Sequence, residues 1–230
     1  MNPLGNLSVV IVAGGKGYRT GAEIPKQFIP IAGKPMLMHT VETFYNYSKS
    51  IRIILVLPQD YISLWRQVCR DHNFTLKHII VKGGETRFHS VKNGLKEVSP
   101  DEIVAVHDGA RPFASVKLIN RCYKETYDSQ CGVIPVVDEV NSIRKITGDG
   151  SEIINRTDIK IVQTPQVFPG SLLKSAYEAK YDPSFTDDAS VAERNGVTIK
   201  LICGEDTNLK ITTSFDMELS DHIFKYLSKR

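Results

Sequence analysis

The sequence predicts an α/β fold with a mainly parallel sheet flanked by helices. Short apolar runs rich in β-branched residues recur along the chain. Their apolarity is continuous rather than alternating, as in strands covered on both faces. Segments of helical periodicity separate them, so strand and helix alternate as in parallel βαβ units.

The predicted strands are 7–13 (LSVVIVA), 51–58 (IRIILVLP), 76–83 (LKHIIVKG), 102–110 (EIVAVHDGA), 131–137 (CGVIPVV) and 197–204 (VTIKLICG). The predicted helices span 35–47, 60–72, 86–98, 115–128, 170–180, 187–195 and 214–228. Residues 138–165 break the rhythm. There SIRKI, the turn signal TGDGS and EIINR make an alternating hairpin, with Arg156 on its second strand. Such a hairpin is either a decorated edge or an arm that embraces a second subunit.

The 230 residues suffice for one core with an appendage, and no Pro/Gly/Ser-rich linker divides them. With 29 basic and 26 acidic residues the formal charge is +3, without a basic stripe, which disfavours nucleic acid as a partner. An anion bound here is expected to be small and locally recognised. Cys69, Cys122, Cys131 and Cys203 form no CxxC pair, so zinc spacing is absent and buried reduced thiols are expected. No apolar run reaches the roughly 18 residues of a membrane span, and the N-terminus lacks signal-peptide character. A soluble cytoplasmic protein is expected.

Ligands of open α/β sheets sit at the carboxyl ends of strands. The first strand ends in Ala13-Gly14-Gly15-Lys16-Gly17, where glycines let backbone N–H groups approach an anion. An ordinary tight turn would look the same. The Walker A pattern fails because Gly17 follows Lys16, and the dinucleotide fingerprint fails at Thr20. What remains is G-x-G-x-R, then Pro25-Lys26-Gln27. Two cations, Arg19 and Lys26, on a proline-stiffened loop suit charge building on phosphorus.

AGGKGYRTGAEIPKQF, GGETRFHSV, VHDGARPF, TPQVF, TDDAS and NLKIT together resemble the 2-C-methyl-D-erythritol 4-phosphate cytidylyltransferases, in the same order and over roughly residues 7 to 225. The resemblance implies a Rossmann-like nucleotidyltransferase sheet in one domain, residues 1–230, with 138–163 inserted as a dimerisation arm. It implies that a sugar-alcohol phosphate attacks the α-phosphorus of CTP and that pyrophosphate leaves. Arg19, Lys26, Arg156 and Lys210 match the catalytic cations, with Arg156 supplied across a homodimer. Ala13, Gly14, Gly15, Gly17, Gly83, Gly84, Glu85 and Ser90 match the CTP contacts. Asp108, Arg111, Ser142 and Thr186 match acceptor contacts; Thr186 also suits a helix N-cap. Magnesium is expected to arrive with CTP, with no protein ligand named. His107, beside Asp108, is expected to pack rather than react.

Departures are Thr20 in place of methionine, Gly109 in place of alanine, and a loose match over 138–144. The ribitol 5-phosphate cytidylyltransferases share the loop, PKQF, TPQ and NLKITT, so they remain the alternative. HDGARP and the compact TDDASVAERNG favour methylerythritol phosphate. A catalytically silent CTP sensor would not need all four cations, and a dehydrogenase is disfavoured by the failed fingerprint.

Overall fold

The computed structural model describes residues 4–14, 25–227 and 229. Strand β1 (Leu7–Val12) is central, pairing in parallel with β4 (Arg52–Leu57) and β6 (Ile103–Asp108). Between β1 and β4 lie the two-residue strands β2 (Pro30–Ile31) and β3 (Lys34–Pro35) and helix α1 (Met36–Tyr47). Helix α2 (Gln59–Asp71) leads to β5 (Ile79–Lys82), parallel to β4. Helix α3 (Arg87–Leu95) precedes β6, and α4 (Val116–Ser129) precedes β7 (Gly132–Asp138).

The central strands read as continuous apolar runs because each has two covered faces. Val9 and Ile11 pack with Leu37, Phe44, Trp65 and Leu118 from α1, α2 and α4. Val10 points the other way, with Ile54, Val56 and Val104, against Phe88, Val91 and Leu95 of α3. Gly94 of α3 permits that close approach, since a Cβ there would stand 2.5 Å from Val10 Cγ1.

Beyond β7 come the hairpin β8 (Ile143–Thr147) and β9 (Gly150–Ile154), then β10 (Lys160–Val162) and β11 (Gln166–Pro169). Helices α5 (Gly170–Ala176) and α6 (Asp188–Arg194), strand β12 (Ile199–Cys203) and helix α7 (Ser214–Leu227) complete the order. The large sheet runs β10-β7-β11-β6-β1-β4-β5, with β12 also on β7. Its β11 is antiparallel to both β6 and β7. The mainly parallel character holds on the β6-β1-β4-β5 side.

Several local expectations need correction. Strands β10 and β11 were not expected; they are three and four residues long, too short for a periodic signal, and arise from pairing with β7 and β6. Arg156 is not on a strand: it opens a 3-10 turn, Arg156–Asp158, where Asn155 accepts a hydrogen bond from Thr157 N. Thr186 is not the N-cap of α6. Asp187 is, accepting from Ser190 N and closing a capping box. Helix α5 also ends earlier than its periodicity suggests, with Asn195 Nδ2 donating to Ala176 O near its end. Of the four free cysteines only Cys122 is buried; Cys203 lies exposed on the edge strand.

Hairpin β8–β9 forms its own two-stranded sheet. Its register puts Ile146 and Ile153 on the same face, and both are more than three-quarters exposed. No helix among the described residues is long and apolar enough to cross a membrane.

Candidate active site

The ends of β1, β4, β5 and β6 meet where the expected residues gather. Ala13 N donates to Val56 O (3.0 Å), and Gln27 Nε2 donates to Ala13 O (3.1 Å), pinning the PKQ turn to the end of β1. Gly83 N donates to Leu57 O (2.8 Å) and Gly84 N to Ser90 Oγ (3.1 Å). A Cβ on Gly83 would lie 3.1 Å from Ser90 Oγ, and one on Gly14 3.9 Å from it. Gly14, Gly83, Gly84 and Ser90 therefore form one small-residue cradle, with Glu85 exposed beside it. Gly15, Gly17 and Arg19 lie outside the described residues.

Lys26 begins a 3-10 turn, Lys26–Phe28, and its Nζ donates to Ile211 O (3.1 Å). Phe28 anchors this turn by stacking on Trp65 and meeting Tyr61 edge-on. The contact with Ile211 brings the turn beside Lys210.

Asp108, the last residue of β6, is the hub. Lys210 Nζ lies 2.8 Å from its Oδ2, Arg87 Nε 3.4 Å from Oδ1 and Arg111 Nε 3.8 Å from Oδ2. Its backbone N donates to Thr164 Oγ1 (3.1 Å). Arg111 spends its fork on carbonyls, donating to Asn208 O (2.8 Å) and Val162 O (3.3 Å). Asn208 donates in turn to Gln163 Oε1 and Thr164 O, so the NLKIT segment is tied to the β10–β11 connection beside Asp108. Arg87 makes a bidentate pair with the fully buried Asp188, at 3.0 and 2.6 Å, and Tyr177 Oη donates to the same carboxylate.

Burial alone would raise the Asp108 pKa, but Arg87, Lys210 and Arg111 outweigh it and hold the carboxyl well below the usual range. Burial likewise opposes the Arg87 charge, yet Asp188 and Asp108 keep it fully protonated. Burial pushes the Arg111 pKa down, with Asp108 acting against it. His107 is pushed down to about 4 by burial and is neutral. Its Nε2 donates to Arg111 O and its Nδ1 accepts from Thr164 Oγ1, so it packs and orients. Lys210, Arg87 and Arg111 against Asp108 and Asp188 leave one net positive charge, with Lys26 nearby. That suits a small phosphorylated anion.

Not every expected residue joins this cluster. Ser142 is exposed just before β8, Thr186 is exposed before α6, and Arg156 donates to Val140 O (2.6 Å) within the arm. Conversely, the sequence gives no role to Asp188, Tyr177 and Asn208, and Arg87 lies within the GGETRFHSV motif without an expected contact. The paired aspartates of TDDAS were the available signal for Asp188.

The family model described as "IspD: 2-C-methyl-D-erythritol 4-phosphate cytidylyltransferase" matches residues 7–226. A Bacteroides thetaiotaomicron protein named 2-C-methyl-D-erythritol 4-phosphate cytidylyltransferase is 53% identical over 212 residues, 92% of this chain and 96% of the relative. Among solved structures, 4-diphosphocytidyl-2C-methyl-D-erythritol synthase from Anaerococcus prevotii superposes with TM-score 0.81 at 27% identity, covering 96% of both chains. Francisella tularensis 2-C-methyl-D-erythritol 4-phosphate cytidylyltransferase gives 0.79 at 29% identity, covering 95% of this chain and 99% of that one.

Proposed function

The chain belongs to the 2-C-methyl-D-erythritol 4-phosphate cytidylyltransferase family, and we infer that it joins CTP to 2-C-methyl-D-erythritol 4-phosphate. The products are 4-(cytidine 5′-diphospho)-2-C-methyl-D-erythritol and pyrophosphate, a step of isoprenoid precursor synthesis. The observation that carries this reading is the adjacency of the Ser90 glycine cradle, Lys26 and the Lys210–Asp108 pair at the carboxyl ends of the central strands.

An acceptor phosphate oxygen forms a bond to the α-phosphorus as the bond to the bridging oxygen of pyrophosphate breaks. Two anions must meet, so catalysis is mainly positioning and charge stabilisation. Lys26 and Arg19 serve the α-phosphate. Lys210 serves the acceptor phosphate, while Asp108 faces the acceptor hydroxyls. Arg111, whose fork is held by carbonyls, acts beside them through Asp108. The Asp108 and Asp188 carboxylates are already engaged by cations, which fits magnesium held by triphosphate oxygens and water rather than by a protein cage. Magnesium would supply charge neutralisation on the phosphates.

We also propose a homodimer formed through residues 138–163. An isolated two-stranded hairpin is marginal in water, and Ile146 and Ile153 lie bare on one of its faces. A partner subunit covering them would receive Arg156 and Ser142 from the arm. In this reading residues 1–230 form one nucleotidyltransferase domain. Two small anionic substrates, free thiols and the absence of a basic stripe suit a cytoplasmic enzyme without nucleic-acid or membrane partners.

Pyrophosphate release from CTP and magnesium, with methylerythritol 4-phosphate and ribitol 5-phosphate in parallel, tests the reading. Preference for the first is expected. Preference for ribitol 5-phosphate would move the protein to polymer synthesis, and CTP binding without turnover would make it a sensor.

A further inference from the structure

One ion pair, Arg87–Asp188, links the helix of the glycine cradle to the Asp108 cluster. Arg87 is the first residue of α3, the helix that also carries Ser90 to the glycine cradle. Asp188 is the first residue of α6, which shares a core with α3 but packs over β7 and β12 rather than over β1 and β4. The Arg87 guanidinium gives both terminal nitrogens to Asp188, at 3.0 and 2.6 Å. Asp188 is fully buried and takes a third hydrogen bond from Tyr177 Oη at 2.7 Å. Its helix is registered to the sheet, because Gln166 Nε2 donates to Asp187 Oδ2 and Gln166 Oε1 accepts from Ala189 N.

With its fork turned to Asp188, Arg87 presents Nε to Asp108, at 3.4 Å. A charge already shared with one carboxylate restrains a second without neutralising it. The nearest cation to Asp108 therefore stays Lys210, at 2.8 Å.

We propose that Arg87, gripped by Asp188, is a positioning residue: it orients the Asp108 carboxylate and leaves it enough charge to keep Lys210 in place for the acceptor phosphate. This rests on the proposed reaction. Loosening the grip impairs acceptor use while leaving nucleotide binding nearly intact.

Two variants test it. Arg87→Lys keeps the charge and loses the planar fork. The double variant Arg87→Gln/Asp188→Asn removes both charges together, so no buried charge is left unpaired. Expected for both are an acceptor KM raised about tenfold or more and a CTP Kd within about threefold of wild type, since a lost charge-assisted contact is worth 1.5–3 kcal/mol or so. In the double variant the acid limb of kcat/KM for the acceptor should move to higher pH, because Asp108 has lost a cationic neighbour. A merely structural role would weaken both substrates alike and leave the limb in place. An unchanged acceptor KM and pH profile, or equal losses for both substrates, overturns the proposal. If the wild type turns over neither acceptor, the reaction reading falls. The Asp108 carboxyl titration, followed by carbon NMR in wild type and double variant, then decides, and an unmoved midpoint overturns the inference.

Discussion

Lys210 Nζ stands 2.8 Å from Asp108 Oδ2, with 43% of the lysine side chain exposed against 12% of the aspartate. Asp108 is thus held from within by Arg87 and Arg111, and Lys210 reaches it from the solvent side. The exposed partner of such a pair can turn toward an incoming phosphate while the buried partners keep the carboxylate compensated.

Lys210→Ala should therefore cost turnover more than stability. We expect kcat/KM for the acceptor to fall about 100-fold, the size of a lost charge-assisted contact in a transition state. The melting temperature should stay within a few degrees. Steady-state kinetics and a thermal melt check both halves, and a collapsed melt with preserved kinetics in the surviving fraction would refute this division.

Lys26→Ala should lower kcat by about 100-fold or more through lost stabilisation of the pentacoordinate phosphorus. The turn itself is anchored by Phe28 on Trp65 and Gln27 on Ala13 O, so folding should persist. Arg19→Ala is expected to behave alike. Single-turnover rates under saturating CTP are the measurement; near-normal rates in both variants would sink the assignment.

Gly94→Ala should destabilise the fold by about 1–3 kcal/mol, the usual cost of overpacking. Its Cβ would meet Val10 Cγ1 at 2.5 Å and Val56 Cγ2 at 3.0 Å, both on covered strands that cannot yield. Urea titration of the two proteins gives the difference directly.

Acid should weaken the fold before the carboxylates titrate. The unfolded chain binds a proton on His107 near pH 6.5, whereas the folded protein resists to about 4. Stability is thus whole above pH 6.5 and falls between 6.5 and 4, by a few kcal/mol from this group. Asp108 adds a loss of the same sign at lower pH, since its folded pKa is depressed. His107→Gln should flatten the upper part of that fall in urea melts at pH 7, 6, 5 and 4.5.

If Arg156 serves the neighbouring subunit, mixed dimers of Lys210→Ala and Arg156→Ala protomers should regain activity, because one of their two sites carries neither change. Ile153→Asp should shift the protein toward monomer by sedimentation and abolish that rescue. Rescue in a monomeric protein is the result that would contradict the arm as a dimer contact.

The central strands 7–13, 51–58 and 102–110 were legible because a strand covered on both faces must be apolar throughout, and that is a local property of the chain. Gly14, Gly83 and Gly84 were legible as strand-end turns for the same local reason, whereas Ser90, on α3, was reached only through the family resemblance. Strands β10 and β11 were not legible, since runs of three or four residues carry no period and gain their conformation from β7 and β6. The role of Arg87 was hidden for a related reason: its partner Asp188 comes from a different helix, and a charge on an isolated segment reads as a solvated face. Sequence alone determined the layered α/β class, the order of its motifs and which cations were available. Only the tertiary structure decided which carboxylate each cation meets, because that pairing depends on burial and on charges brought together across the sheet from distant segments.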